Sequence, residues 1–134
     1  MLLIKTFLKT DSYGGIGLFA NENIPKDKLV WEWNDLVDKM FTPEEFDKFP
    51  PPFQDFIKRH GYSPAEEIFG KKMICINLDD ARFFNHPDDP NTTEIKDGVI
   101  IANRDIKKGE EITCDYRLID NDNEFCGNFL TKSI

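Results

Sequence analysis

The stretch RFFNHPDDPN, residues 82–91, joins side chains that favour burial to residues that enforce a turn. Two bulky aromatics run directly into Asn85 and His86, and two prolines then bracket two aspartates. Aromatic residues favour packed or extended segments, whereas Pro and Asp favour bends. The pattern therefore predicts that Asn85 and His86 emerge from a core onto a bend that a ligand can reach. An Asn-His pair that merely caps an ordinary loop is the alternative, because short motifs also occur by chance.

Two further motifs lie on either side of this stretch. Upstream, GIGLFA at residues 15–20 alternates Gly with apolar residues. Glycine permits positive φ and lets another group approach the backbone closely. A Rossmann fingerprint is excluded, because no helix is expected to follow and the third Gly is missing. Downstream, a predicted turn at residues 106–111 leads into a predicted last strand at residues 112–116.

In this order, the motifs GIGLFA, RFFNH…PN and ANRDI…GEEITCDY strongly resemble the SET domain, over roughly residues 3–118. That family comprises S-adenosylmethionine-dependent protein-lysine methyltransferases. The resemblance implies a mainly β fold with a short helical insert, the SET β-clip of short twisted strands. It also implies a C-terminal pseudoknot, in which the segment carrying Tyr116 passes through a loop beside Asn85 and His86.

The resemblance also assigns residues to a site. Methyl transfer to an amine is an in-line displacement, so alignment and desolvation dominate its catalysis. Tyr116 matches the catalytic tyrosine of the family, whose hydroxyl orients the amine, and we expect Cys114 and Phe84 to line the lysine channel. No metal is expected. The cofactor-binding residues implied for S-adenosylmethionine are Gly15, Ile16, Gly17, Leu18, Arg82, Asn85 and His86.

The sequence departs from the family pattern at three places. The usual Asn-His-Ser-Cys run is here continued by Pro87 and Asp88. Cys114 stands where Phe or Tyr is usual, and a smaller residue leaves room for higher methylation states. A cysteine-rich post-SET segment is missing, and Phe125 or Phe129 of the tail could cover the adenine instead, although core packing is the commoner fate of such residues.

The order of elements predicts one domain over residues 1–134, with a motif-bearing core at 3–118, a helical insert at about 42–68 and a tail at 119–134. Thr42, Pro43 and Glu45 form a capping-box pattern that begins a helix. A second helix near 53–60 is expected to end at Gly61, and a third, brief turn to begin near 63–66. The other strands are predicted at residues 2–9, 29–33, 72–77 and 98–102.

Charge and cysteine content narrow the classes of function. The net charge is −8, and residues 79–134 alone carry 7 basic and 13 acidic side chains. Such a field disfavours direct nucleic-acid binding and attracts cationic partners, although solubility alone is the commoner cause of a charged surface. Together with the resemblance, it implies a basic protein or peptide substrate, of the histone or ribosomal-protein type. Three cysteines without a C-x-x-C pair argue against a disulfide framework, a closed zinc site and a redox protein.

The expected setting is cytoplasmic or nuclear, because no signal-peptide pattern and no apolar run of about 18 residues is present. The function predicted is protein-lysine N-methylation. The alternative is a catalytically inactive SET-like module that binds a basic peptide, although such a binder has no need of Asn85, His86 and Tyr116 together. Without flanking pre-SET or post-SET segments, a homodimer could complete the lysine channel.

Overall fold

A computed structural model describes residues 1–11, 14–64, 67–96 and 98–115 of the chain. The mainly β character predicted from the sequence is confirmed: the described part consists of short strands with two short α-helices and one 3-10 helix. The elements in chain order are β1 (Thr6–Thr10), β2 (Ile16–Ala20), β3 (Leu29–Glu32), β4 (Asp38–Phe41), α1 (Pro43–Asp47), α2 (Pro51–His60), β5 (Ile74–Asn77), the 3-10 helix (Asp80–Phe83), β6 (Thr92–Lys96) and β7 (Val99–Ala102).

The strands form small antiparallel sheets. β1 pairs with β2, β4 pairs with β5, and β7 lies between β3 and β6. In the first hairpin Thr10 lies opposite Ile16, so the glycine motif begins at the turn and continues into β2. This register places Gly15 at the turn end of the hairpin, and residues 17–20 of β2 are buried.

The predicted helix starts are largely confirmed. The Thr42 side chain accepts a hydrogen bond from the backbone N–H of Glu45. The Glu45 side chain in turn accepts one from the backbone N–H of Thr42, which completes the capping box. α2 begins at Pro51, two residues earlier than predicted, because prolines are tolerated in the first turn of a helix. It is followed by Gly61, as predicted. The third predicted turn falls partly on residues 65–66, outside the described residues.

Several strand predictions were wrong in extent. The first strand begins at Thr6, and Leu2 makes only an isolated bridge to Trp31. Strands β4 and β6 were not predicted. Residues 111–115 make single bridges to two different segments, through Glu111 to Phe19 and through Thr113 to Asn85, so this part of the predicted last strand is not a regular strand. Tyr116 and the tail lie outside the described residues.

Two apolar clusters support the fold. The larger lies beneath the sheets and contains Leu18, Ala20, Ile24, Val30, Trp31, Ala81, Phe84, Ala102, Ile106, Ile112 and Cys114. The smaller lies under the helices, where Ile57, Ile74 and Ile76 pack with Phe41, Phe46, Phe49, Phe53 and Phe56. All three sequence motifs contribute to the larger cluster, so the core itself brings them together.

Candidate active site

The glycine motif lies against polar side chains from elsewhere in the chain. A Cβ atom added to Gly17 would lie 2.9 Å from Glu111 Oε2 and 3.1 Å from Asn85 Nδ2. Gly15 and Gly17 do not have positive φ, whereas the neighbouring Gly14 has φ of 84°. Close approach, and not a left-handed backbone, is therefore the reason for glycine at position 17.

The 3-10 helix delivers Asn85 and His86 to this glycine motif. Its N-cap residue Asp79 accepts a hydrogen bond from the Ala81 backbone N–H at 3.1 Å. After the helix the backbone turns to an extended conformation at Phe84, whose side chain is 6% exposed. The buried ring of Phe84 anchors the segment. Asn85 is partly exposed, whereas His86 is only 8% exposed, so the prediction that both residues emerge from the core was wrong for His86.

The side-chain amide of Asn85 is the point where the three motifs meet. Its nitrogen Nδ2 donates to Asp11 Oδ2 at 2.9 Å and to Glu111 Oε2 at 2.8 Å. Asp11 also accepts a hydrogen bond from the backbone N–H of Gly15 at 2.8 Å. Sequence analysis identified Asn85 but missed both carboxylates, which lie 74 and 26 residues away in the chain.

His86 braces the segment that leads to residue 116. Its ring is buried, and Nδ1 lies 3.2 Å from the carbonyl oxygen of Cys114 and 3.5 Å from Asp115 Oδ1. Both partners are acceptors, so Nδ1 carries the hydrogen. The Cys114 backbone N–H donates to the Asn85 carbonyl oxygen at 2.9 Å. The imidazole therefore positions the chain, and any contact of His86 with a ligand would have to come from its backbone groups.

A second polar network fixes the same segment from the other side. The Asn91 side chain donates to the Glu111 carbonyl oxygen at 2.8 Å and accepts from the Thr113 backbone N–H at 2.9 Å. Thr92 donates its hydroxyl to the Thr113 carbonyl oxygen at 2.6 Å. These groups are buried, so each unmade bond would cost stability. Residues 111–115 are thus held in place by the segment from Asn85 to Thr92.

The remaining predicted site residues are partly placed by the structure. The Arg82 guanidinium lies 4.9 Å from the centroid of the Phe83 ring, and its Nη1 donates to the Leu78 carbonyl oxygen at 3.5 Å. Cys114 is buried in the same core cluster as Phe84. Two roles therefore stay predictions: cofactor binding by Arg82, and the lining of a substrate channel by Cys114 and Phe84. Tyr116 lies outside the described residues, so its catalytic role also stays a prediction.

Alternative chemistries find little support in the described residues. Among them, no group of three or more His, Cys, Asp or Glu side chains is arranged to hold a metal ion. Burial raises the pKa of Cys75 to about 12, so this thiol stays protonated and unreactive near neutral pH. No described helix is long and apolar enough to cross a membrane.

A family model for the SET domain matches residues 15–117, which contain all three motifs together with Asn85 and Glu111. The chain belongs to the SET-domain family. Members of this family are generally methyltransferases and typically use S-adenosylmethionine. The predicted family is therefore confirmed, and the observed mainly β architecture is the fold expected of it.

Solved structures agree with this SET fold. Among 212 matching chains is a crystal structure from Plasmodium falciparum, of a protein named provisionally as a histone methyltransferase. The two chains superpose with a TM-score of 0.55 and share 22% sequence identity. The match covers 86% of this SET domain and 95% of the Plasmodium chain. At this identity the likeness shows the fold alone. No curated protein sequence matches significantly.

The residues of this SET domain fit S-adenosylmethionine. The backbone at Gly17 carries no side chain, and a Cβ there would fill the space against Asn85 and Glu111. Ile16 beside it is 53% exposed. Asn85 uses its amide nitrogen on two carboxylates, and among the described residues none donates to its amide oxygen. An amide oxygen beside bare backbone suits a ligand that carries an ammonium group, which can donate a hydrogen bond to it.

Proposed function

We propose that this SET domain is a protein-lysine N-methyltransferase that transfers a methyl group from S-adenosylmethionine to a lysine of a basic protein. The observation that carries the proposal is the meeting of the glycine motif, the Asn-His motif and the 109–115 segment at one amide, Asn85 Nδ2. The resemblance assigns the first two of these stretches to the cofactor, and the third leads to the proposed catalytic Tyr116.

The cofactor would supply an electrophilic methyl group, and the protein would supply alignment. Gly15, Gly17 and Asn85 would hold the cofactor by backbone approach and by the Asn85 amide oxygen. The His86 ring would fix the position of residues 114 and 115, and through them the start of the segment that carries Tyr116. Alignment of this kind accounts for much of the rate of an in-line displacement.

The lysine must lose its proton before it attacks. An ordinary lysine side chain has a pKa near 10.4, so in water at neutral pH it is almost entirely charged. A low-dielectric channel lined by Cys114 and Phe84, both of them buried, would favour the neutral amine. The hydroxyl of Tyr116 would then orient the amine towards the methyl group.

The substrate class follows from charge. The chain carries a net charge of −8, which attracts basic segments. The Plasmodium neighbour is named for histones, and histones and ribosomal proteins are the basic proteins we would screen first.

Two measurements test the proposed function. Calorimetry should show that the wild-type protein binds S-adenosylmethionine. Incubation with histones and ribosomal proteins should then add 14 Da, or a multiple of it, to a lysine that mass spectrometry locates. Cofactor binding without transfer to any basic protein would favour a binding module, and no cofactor binding at high micromolar concentration would contradict the proposal outright.

A further inference from the structure

The Asn85 amide is held in one orientation by two charged partners. An amide group has two N–H hydrogens, and both are used on Asp11 and Glu111 at 2.9 and 2.8 Å. A flipped amide would place its oxygen against two carboxylate oxygens, which only accept hydrogen bonds when they are ionised. The network therefore allows only the orientation in which the nitrogen faces the carboxylates.

We propose that Asp11 and Glu111 are positioning residues for the cofactor site, which fix Asn85 so that its amide oxygen is left to accept a hydrogen bond from the cofactor. This inference rests on the proposed function, and it assigns roles to two residues for which the sequence analysis predicted none.

Asp11 links Asn85 to the glycine motif. One carboxylate oxygen of Asp11 binds the Gly15 backbone N–H at 2.8 Å, and the other binds Asn85 Nδ2 at 2.9 Å. The same residue also closes the turn through its backbone N–H, which donates to the Gly15 carbonyl oxygen at 3.0 Å. A shift of the turn is thereby transmitted to the Asn85 amide, because one rigid carboxylate bonds both.

Glu111 links Asn85 to the segment that leads to Tyr116. Its backbone pairs with Phe19 in β2, and its carbonyl oxygen accepts from Asn91 at 2.8 Å. The main chain of Glu111 is therefore held by β2 and Asn91, while its side chain reaches Asn85 across Gly17. Because the main chain is fixed, the carboxylate is well placed to hold the amide.

A double-mutant cycle on cofactor binding tests whether the carboxylates act through Asn85. The Asn85→Ala change should weaken S-adenosylmethionine binding about 10–100-fold, as expected for one hydrogen bond to a charged group. Glu111→Ala alone should weaken it at least about fivefold. In the Asn85→Ala background, Glu111→Ala should add less than about a twofold further loss, because the group that Glu111 holds is already missing. The readout is the dissociation constant measured by calorimetry.

Conservative and control variants separate positioning from charge. Glu111→Gln keeps an oxygen acceptor for Asn85 while it removes the charge, so binding should stay within about threefold of wild type. Glu110→Ala removes the same charge from the exposed neighbouring residue and should leave binding unchanged. If Glu111→Ala fails to fold in thermal unfolding, Asp11→Ala in the turn gives the same cycle with Asn85.

Two results together would overturn the inference: the losses of affinity for Glu111→Ala and Asn85→Ala add, and Glu111→Gln binds the cofactor as weakly as Glu111→Ala. The carboxylate would then act by its charge and independently of Asn85. Failure of the wild-type protein to bind S-adenosylmethionine overturns the proposed function instead. The two failures are therefore distinguishable in one set of titrations.

Discussion

Gly17 shows how a single missing side chain shapes this SET domain. The 2.9 Å and 3.1 Å distances from its Cβ position to Glu111 and Asn85 are closer than real Cβ contacts comfortably allow. Any other residue would therefore push apart the carboxylate and the amide that meet over it. Since Asn85 bonds Glu111 at 2.8 Å across this position, the bare backbone is a condition for the junction to form.

Tyr116 is the residue for which we predict the largest effect on turnover. Tyr116→Phe keeps the aromatic ring, so folding and cofactor affinity should change little, while one oriented contact to the reacting amine is lost. A contact made mainly in the transition state is typically worth about 2.7–4 kcal/mol, so turnover should fall by a factor of about 100–1000. Single-turnover methylation and calorimetry on the same variant check this. A variant that methylates at the wild-type rate would show that Tyr116 is not catalytic.

At the scale of elements, α2 connects the helical region to the candidate active site through aromatic contacts. Phe49 and Phe53 lie with ring centroids 4.8 Å apart, and Phe53 is followed by Phe56 at 6.1 Å. Phe56 and His60 lie 5.0 Å apart, and His60 lies 5.5 Å from Phe83 of the 3-10 helix. Each such pair contributes modestly, but together they hold the last turn of α2 against the segment that ends at Asn85.

We expect the docking of α2 to weaken in acid because of His60. Burial lowers the pKa of His60 below its usual value of 6.5, and the neighbouring Arg82 and Arg59 lower it further. The unfolded chain therefore takes up a proton first as the pH falls below about 6.5, so stability is lost from there down to the lower folded-state pKa. His60→Gln should show a smaller drop in melting temperature between pH 7.5 and pH 5.5 than wild type. His86 is present in both proteins, so it does not account for a difference between them. An identical drop in both proteins would show that His60 does not contribute.

At the scale of the whole molecule, the net charge of −8 would attract a basic substrate. The methylation rate on a basic protein, measured below saturation, should fall as salt increases from about 50 to 500 mM, because ions screen the attraction over about a Debye length. Affinity for S-adenosylmethionine should change less, since it is set by short-range contacts. A rate that stays flat across this range would show that the charge serves solubility alone.

The sequence by itself determined the family, the mainly β character and the capping box of α1. Each of these features depends on residues that are adjacent in the chain or occur in a fixed order, so it can be predicted from the sequence pattern. The order of GIGLFA, RFFNH and GEEITCDY was enough to point to the SET domain, and the family match over residues 15–117 bears it out. The residue roles inferred from that resemblance stay predictions until the variants are measured.

Only the tertiary structure decided how the motifs combine. The partners of Asn85 lie 74 and 26 residues away, and no local preference for helix or strand encodes which distant carboxylate reaches an amide. Regular strand structure at residues 112–116 was predicted from β-forming residues. In the described part of this stretch, however, Thr113 bridges the Asn-His segment, and Glu111 just before it bridges β2. A regular strand needs one continuous partner, and here the partner changes within two residues because the core brings three separate segments to one place.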